Sequence, residues 1–381
     1  MQSQSAKQAE ADGYMKSAEK HLEKRMFHFK ANYNGAAEDF DKAARIYTNL
    51  HNYPKACDAW TRASGAHSKA RNEANAANSM EKLGDFASQC ILDSESAMSS
   101  VSTACMTQVP VERLVRDALH AYEEASKLYG VATNGSKQAA ALKKAADVIS
   151  RSLCTARHSR SSGNDGPAAA NIVYLQTEYR RIVEDVIKLM ERNWEAMESK
   201  PFDLPDIYRS YMLFCLRSSD IQGAVQIVKR MIGIISTSPA DGTYNDSKNL
   251  FRLLNQPANA AKAGLEIIVL CLSTSVDDGY TWAKMEMARL GAVFGFCNSS
   301  EERAAAGLLA AYADRDEDAL REALKTHSCL NFLTADVSRI AKKLTLGGKG
   351  HSNGANTSAA PLPPSSQSLV NASESDSDDL R

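Results

Sequence analysis

The side chains best suited to chemistry are eight cysteines, Cys57, Cys90, Cys105, Cys154, Cys215, Cys271, Cys297 and Cys329. No two stand closer than fifteen residues, whereas a sequence-local zinc site needs two ligands a few residues apart. The spacing therefore predicts free thiols buried in a core. The eight histidines form no His-Glu-x-x-His pair, and His21 and His28 flank a basic segment, where they read as solvent-facing. Gly347-Gly348-Lys349-Gly350 lacks both a preceding strand and the hydroxyl residue that a phosphate-cradling loop places after its lysine. It reads as an exit from the last helix. No Gly-x-Ser-x-Gly elbow and no dinucleotide fingerprint occurs, so an enzyme would need a site assembled from distant, unmarked residues. The expectation is a protein with no metal, no cofactor and no catalytic residue.

The elements that would position any site are helical. The 381 residues hold 57 Ala against 20 Gly and 10 Pro, and no Pro falls between Pro54 and Pro110. Charged residues make up 24% and apolar residues 44%, an ordinary globular balance. Lys plus Arg, 45, nearly cancels Asp plus Glu, 46, which gives no sign of a nucleic-acid partner. The longest apolar stretch, Leu265 to Leu272, contains Glu266 and falls far short of the roughly 20 residues that span a bilayer. The first residues, MQSQSAKQAEADGY, contain no apolar core of a secretory signal, so a reducing, cytoplasmic setting is expected.

Ala37, Phe40, Ala44 and Tyr47 stripe one helix face, and Tyr53, Ala56, Trp60, Ala63 and His67 stripe a second. Asn49-Leu50-His51-Asn52 between them predicts an antiparallel helical hairpin. A shift of 33 residues superposes Ala43, Ala44, Leu50, Tyr53 and Cys57 on Ala76, Ala77, Leu83, Phe86 and Cys90, a period typical of tetratricopeptide-like helix pairs. The reading is an all-α, tetratricopeptide-like α-solenoid, a twisted sheet of helical hairpins, over residues 1–260. Pro110 is placed in the first turn of a helix that continues through Tyr129, and Ala139 to Leu153 forms the next. Further helices are expected near 168–198, 205–217 and 220–235, and then at 262–275, 280–294 and 301–313 in a C-terminal helical bundle, 261–346. Residues 347–381, without any aromatic side chain and rich in Gly, Ser, Pro and Asn, read as a disordered acidic tail.

The run Phe29-Lys30-Ala31-Asn32-Tyr33-Asn34-Gly35-Ala36-Ala37-Glu38-Asp39-Phe40-Asp41-Lys42-Ala43-Ala44 resembles the N-terminal repeat of the gamma-type soluble N-ethylmaleimide-sensitive factor attachment proteins. Leu308-Leu309-Ala310-Ala311-Tyr312-Ala313-Asp314-Arg315-Asp316 is similar to that family's Leu-Leu-x-x-Tyr segment. Asp378-Asp379-Leu380-Arg381 resembles the Asp-Leu-Arg terminus of the alpha members, whose penultimate Leu stimulates an ATPase. The likeness extends over 14–150 and 264–345, with insertions near 91–112, 158–167 and 236–260.

The resemblance implies a non-catalytic adaptor with two partners. These are the SNARE complex, a syntaxin-type four-helix coiled coil, and the hexameric N-ethylmaleimide-sensitive factor ATPase that dismantles it in vesicle fusion. It gives Leu380, Asp378 and Asp379 the stimulating role, and it makes Lys137, Lys143 and Lys144 candidates for SNARE contact. Met26, Phe27 and Phe29, beside Lys24, Arg25 and Lys30, stand where alpha members carry a membrane-touching loop, so weak peripheral contact with endomembranes is expected. The alternative is a generic tetratricopeptide-like scaffold that binds peptide tails and has no ATPase partner.

Overall fold

The computed structural model describes residues 4–23, 31–99, 109–159, 167–196, 202–235 and 242–346. The membrane-loop candidates Met26, Phe27 and Phe29, residues 100–108, 160–166 and 236–241 of the insertions expected near 91–112, 158–167 and 236–260, and the whole 347–381 segment lie outside these residues.

The protein is an all-α array of helical hairpins. Its first half runs α1 (Gln4–Leu22), α2 (Tyr33–Asn49), α3 (Tyr53–Lys69), α4 (Glu73–Ser99), α5 (Val111–Val131), α6 (Gly135–Ser159) and α7 (Pro167–Ala196). Each of these helices packs chiefly on its neighbours in sequence. Both predicted stripes are buried: Ala37, Phe40, Ala44 and Tyr47 on α2, and Tyr53, Ala56, Trp60, Ala63 and His67 on α3. Pro110 sits one residue earlier than expected, as the N-cap of α5 rather than in its first turn.

The connectors explain the tight folding back. His51, Arg71 and Thr133 each adopt a left-handed backbone, with φ of 52°, 62° and 55°. The residue after each is an asparagine whose N–H donates five residues back: Asn52 to Tyr47 O at 3.0 Å, Asn72 to His67 O at 2.9 Å and Asn134 to Tyr129 O at 2.8 Å. This bond closes the outgoing helix. The same asparagine side chain then caps the incoming helix, as when Asn134 Oδ1 accepts from Lys137 N at 3.1 Å. One left-handed residue and one asparagine thus end one helix and begin the next.

Asn32, Asn52 and Asn72 occupy equivalent caps, so α2, α3 and α4 start twenty residues apart. The 33-residue match has a different origin. It pairs Leu50, in a connector, with Leu83, inside α4, and Tyr53 with Phe86, two rings that touch with centroids 5.7 Å apart. At Tyr53 and Phe86 it superposes two residues that touch.

After α8 (Leu204–Arg217), the helix expected at 220–235 stops early. α9 (Ile221–Met231) gives way to strand β1 (Ile232–Ile235), which pairs antiparallel with β2 (Thr243–Asn249) in a two-stranded sheet. Gly233 causes the change: its φ is +82°, and a Cβ there would meet Asn245 O at 2.5 Å. Ile232, Ile234 and Ile235 around it favour extended backbone.

The short α10 (Leu250–Leu253) leads to α11 (Pro257–Leu272). α11 is apolar on all sides and buried from Ala263 onward. The expected boundary at 260/261 falls in its first turn. It packs on α9 and β1 and also on α12 (Asp277–Leu290), α13 (Ser300–Asp314) and α15 (Ala335–Ala341), while α14 (Glu317–Thr326) and the 3₁₀ turn Ser328–Phe332 close the end. The main apolar core runs from Ala11 to Leu344, and a second, small cluster of Ala18, Ala36, Ala37, Phe40, Ala63 and Ala66 joins α1, α2 and α3.

Buried charges on these helices are matched. Glu266 Oε1 accepts from Thr334 N at 2.8 Å and from Thr334 Oγ1 at 2.6 Å, at the start of α15. Lys229 and Glu286, both 0% exposed, pair at 2.9 Å and tie α9 to α12. Among the described residues no helix is long and apolar enough to cross a membrane.

Candidate partner-binding face

At three places in the array a carboxylate, a tyrosine and a cation meet on three consecutive helices in that order, while at a further place Asp117 on α5 takes Tyr53 from α3 and Arg113 from its own helix. On α1, α2 and α3, Asp12 Oδ1 accepts from Tyr47 Oη at 2.5 Å and from Lys55 Nζ at 2.8 Å. On α4, α5 and α6, Glu81 accepts from Tyr129 Oη at 2.6 Å and Asp85 from Tyr122 Oη at 2.9 Å, while Lys144 Nζ donates to both carboxylates at 2.8 Å. On α7, α8 and α9, Tyr208 donates to Glu191, and Arg230 donates to Glu184 at 2.9 Å and Glu191 at 2.7 Å. Each cation also lies over the tyrosine ring, 5.4 Å from the Tyr47 centroid, 5.8 Å from Tyr122 and 5.7 Å from Tyr208.

The consequence is geometric: helices n and n+2 are tied side by side across the helix between them. Burial, then the accepting carboxylate, holds the Tyr47 and Tyr129 phenols above their ordinary pKa, so each stays a donor. The bond from Lys55, then that from Tyr47, holds Asp12 below the usual carboxylate value.

The middle junction contains two of the three candidate lysines. Lys144 is committed to Glu81 and Asp85, and Lys137 Nζ lies over the Tyr129 ring at 5.4 Å. Lys143 is elsewhere, 3.4 Å from Asp203 at the entry to α8. Asp85 also borders a cleft of about 620 Å³ whose walls include Arg45, Thr48, Trp60, Lys82 and Gln89. Lys82 Nζ lies 5.2 Å from the Trp60 centroid, and Trp60 Nε1 donates to Thr48 Oγ1 at 3.1 Å. The cleft and the Lys137–Lys144 pair therefore form one continuous face built on α2, α4 and α6. Arg45, Lys82, Lys137 and Lys144 outnumber Glu81 and Asp85 there, leaving it net basic. Sequence reasoning missed Arg45 and Lys82, whose place depends on a ring 22 residues from Lys82.

A second groove, about 430 Å³, opens at the third junction between Glu184, Glu191, Arg230, Ile234 and Ile235. The cysteines depart in part from expectation: Cys90, Cys215 and Cys271 are buried, but Cys57 and Cys329 are half-buried and Cys154 and Cys297 are exposed. Cys105 lies outside the described residues. Burial pushes the Cys215 thiol up to about 11 and raises Cys57, Cys271 and Cys329 as well, so these four are weak nucleophiles.

His67, Asp41 and Ser79 meet in the core, but Ser79 Oγ donates to Asp41 Oδ1 at 3.0 Å and His67 Nε2 faces Asp41 Oδ2 at 3.1 Å. The carboxylate sits between the other two, whereas a nucleophile–base pair requires the imidazole in that place. The set joins α2, α3 and α4. Among the described residues no three His, Cys, Asp or Glu side chains converge as metal ligands.

No family model matches the chain, and no curated protein matches it. Among solved structures, it is similar to a circular tandem repeat protein with novel repeat topology and enhanced subunit contact surfaces. That similarity is at 12% identity with a TM-score of 0.32, over 87% of this chain and 84% of the other.

Proposed function

We propose that the protein is a non-catalytic adaptor that binds the four-helix SNARE bundle and recruits and stimulates the N-ethylmaleimide-sensitive factor ATPase. The observation that carries the reading is the basic face on α2, α4 and α6, where Arg45, Lys82, Lys137 and Lys144 project from helices fixed side by side. A rigid row of helices with cations on one side suits a long acidic coiled coil, because the charges are held in place before the partner arrives. The resemblance of Phe29–Ala44, Leu308–Asp316 and Asp378–Arg381 to the attachment proteins supports the same reading. In it, Leu380 with Asp378 and Asp379 engages the ATPase, and Met26, Phe27 and Phe29 give weak contact with endomembranes from the cytoplasmic side.

The test is capture of the ATPase by the immobilised full chain, with and without assembled SNARE complex. Capture that increases with the complex is the expected result. No capture in either arm removes the adaptor reading and leaves a scaffold for peptide tails. Leu380→Ala should retain the SNARE complex but lose most of the ATPase stimulation.

A further inference from the structure

The cleft beside Trp60 holds two cations that the array does not use. Arg45 and Lys82 both line it, and among the described residues neither has an ion-pair partner. Asp85, the acidic residue of the lining, is taken by Lys144 Nζ at 2.8 Å and Tyr122 Oη at 2.9 Å. Lys144 and Lys137 together offset Asp85 and Glu81, so the charges of Arg45 and Lys82 stand uncompensated. A helix dipole does not explain them either. Arg45 lies before the last turn of α2, and Lys82 lies in the interior of α4.

The cleft has two walls joined by one ring. Arg45 and Thr48, one turn apart, share a face of α2, and Lys82, Asp85 and Gln89 share a face of α4. Trp60 on α3 bridges them: its Nε1 donates to Thr48 Oγ1 at 3.1 Å, and its ring centroid is 5.2 Å from Lys82 Nζ. Thr48 accepts from the indole, which leaves its own hydroxyl hydrogen to donate. The Gln89 amide is turned to Asp93 at 2.8 Å. A guanidinium, an ammonium and a hydroxyl are therefore the donors on offer.

These three donors discriminate between anions. A carboxylate has one charge and two oxygens in a plane, which the fork of Arg45 alone satisfies. A phosphate monoester carries about −1.5 to −2 at neutral pH and three strong acceptor oxygens. Its charge matches two uncompensated cations, and its tetrahedral oxygens match donors arriving from two walls. The volume of about 620 Å³ also leaves room for the residue that bears the group. We infer that the Trp60 cleft binds the phosphate of a phosphorylated serine or threonine on a partner polypeptide, with Arg45, Lys82 and Thr48 as its donors. That the phosphate arrives on an acidic polypeptide rests on the function proposed above; the phosphate site itself does not.

Fluorescence anisotropy of labelled peptide pools with the full chain at physiological salt tests the site. One pool has a fixed central phosphoserine between randomised flanks, and two matched pools have serine or glutamate there. The phosphoserine pool should bind at least about tenfold more tightly than the glutamate pool. Arg45→Gln and Lys82→Gln should each remove most of that preference. Arg45→Lys keeps the charge but loses the planar fork, and should still weaken the phosphoserine pool severalfold. Lys137→Gln removes the same charge from the same face outside the cleft and should leave the preference intact. The urea midpoint of each variant serves as the folding control, and Arg45 carries the test alone if Lys82→Gln lowers it. Inorganic phosphate should compete, but more weakly than the peptides.

Equal affinity for the phosphoserine and glutamate pools, equal loss in Arg45→Gln and Lys137→Gln, or no binding would overturn the inference. Inorganic phosphate that binds as tightly as the phosphoserine pool would overturn the polypeptide as its source. Phosphoserine binding without capture of the SNARE complex removes the adaptor reading alone. Capture of the complex without phosphoserine binding removes only this site.

Discussion

The Lys144 ammonium lies 2.8 Å from Glu81 Oε1, sixty-three residues back along the chain, and joins α6 to α4 over the rings of α5. The pair carries information on how the array is held. Each helix contributes an apolar stripe to its sequence neighbours, and a polar tie fixes its alignment with the helix two places on.

The pair also sets a pH window. Burial raises the Glu81 carboxyl, but the bonds from Lys144 and Tyr129 outweigh it and the net shift is downward. Burial lowers Lys144, but the bonds to Asp85 and Glu81 outweigh it and the net shift is upward. A lowered carboxylate contributes stability above its unfolded pKa of about 4.3 and loses it as pH falls through the folded value. A raised lysine contributes below about 10.4 and loses it as pH rises through its folded value. The Glu81→Gln/Lys144→Met double-mutant cycle should therefore show full coupling between about pH 5 and 10. Partial exposure limits that coupling to about 0.5–1 kcal/mol. Urea unfolding at pH 3, 7 and 11 checks it, with the coupling smaller at pH 3 than at pH 7.

The connector at Thr133 stores a local cost. A β-branched residue at φ 55° crowds its own backbone. Thr133→Gly should raise stability by about 0.5–1 kcal/mol, the relief of that crowding less the extra freedom of glycine in the unfolded chain. The neighbouring Asn134→Ala should lower stability by about 1 kcal/mol through loss of the cap on α6. Both appear as shifts in urea midpoint at constant slope.

Much of the fold is legible from residue spacing because burial stripes are local. Ala37, Phe40, Ala44 and Tyr47 reveal their face within ten residues of sequence, and Asn49–Asn52 reveals the break. The departures have nonlocal or single-residue causes. Gly233 turns an expected helix into a strand through its contact with Asn245, twelve residues away. The starts of α2, α3 and α4 are marked by single asparagines at 32, 52 and 72, a spacing different from the 33 residues that the apolar pattern suggested. The candidate face is less legible still. Lys137 and Lys144 are visible as cations, but that they converge on Tyr122 and Tyr129, and that Lys143 leaves them for Asp203, depends on packing across three helices.

Trp60 tests whether stability is shared along the array. It is buried against the core and bonded to Thr48, so Trp60→Ala should cost about 3–5 kcal/mol. Units held mainly by their neighbours pass such a loss along the row. Hydrogen exchange should show reduced protection from α2 through α6, with α12 to α15 largely unaffected. Equal loss in both regions would mean that the continuous core unfolds as one unit.

The candidate lysines, Lys137 and Lys144 on the basic face and Lys143 beside it at Asp203, separate binding from folding only when chosen by their contacts. Lys144→Glu would place a third carboxylate between Glu81 and Asp85, and its effect on any partner would be mixed with loss of the α4–α6 tie. Lys137 rests on a ring and Lys143 on the exposed Asp203, so Lys137→Glu/Lys143→Glu should leave the unfolding midpoint nearly unchanged. If an acidic coiled coil docks on this side, the double variant should associate more slowly while dissociation changes less, because exposed charges act mainly on encounter. The parental rate should itself fall as salt is raised above physiological strength, where the Debye length is already about 8 Å. Stopped-flow association with assembled SNARE complex measures both effects. A double variant that associates at the parental rate at every salt concentration would move the docking surface away from Lys137 and Lys143 and toward the Arg45–Lys82 cleft.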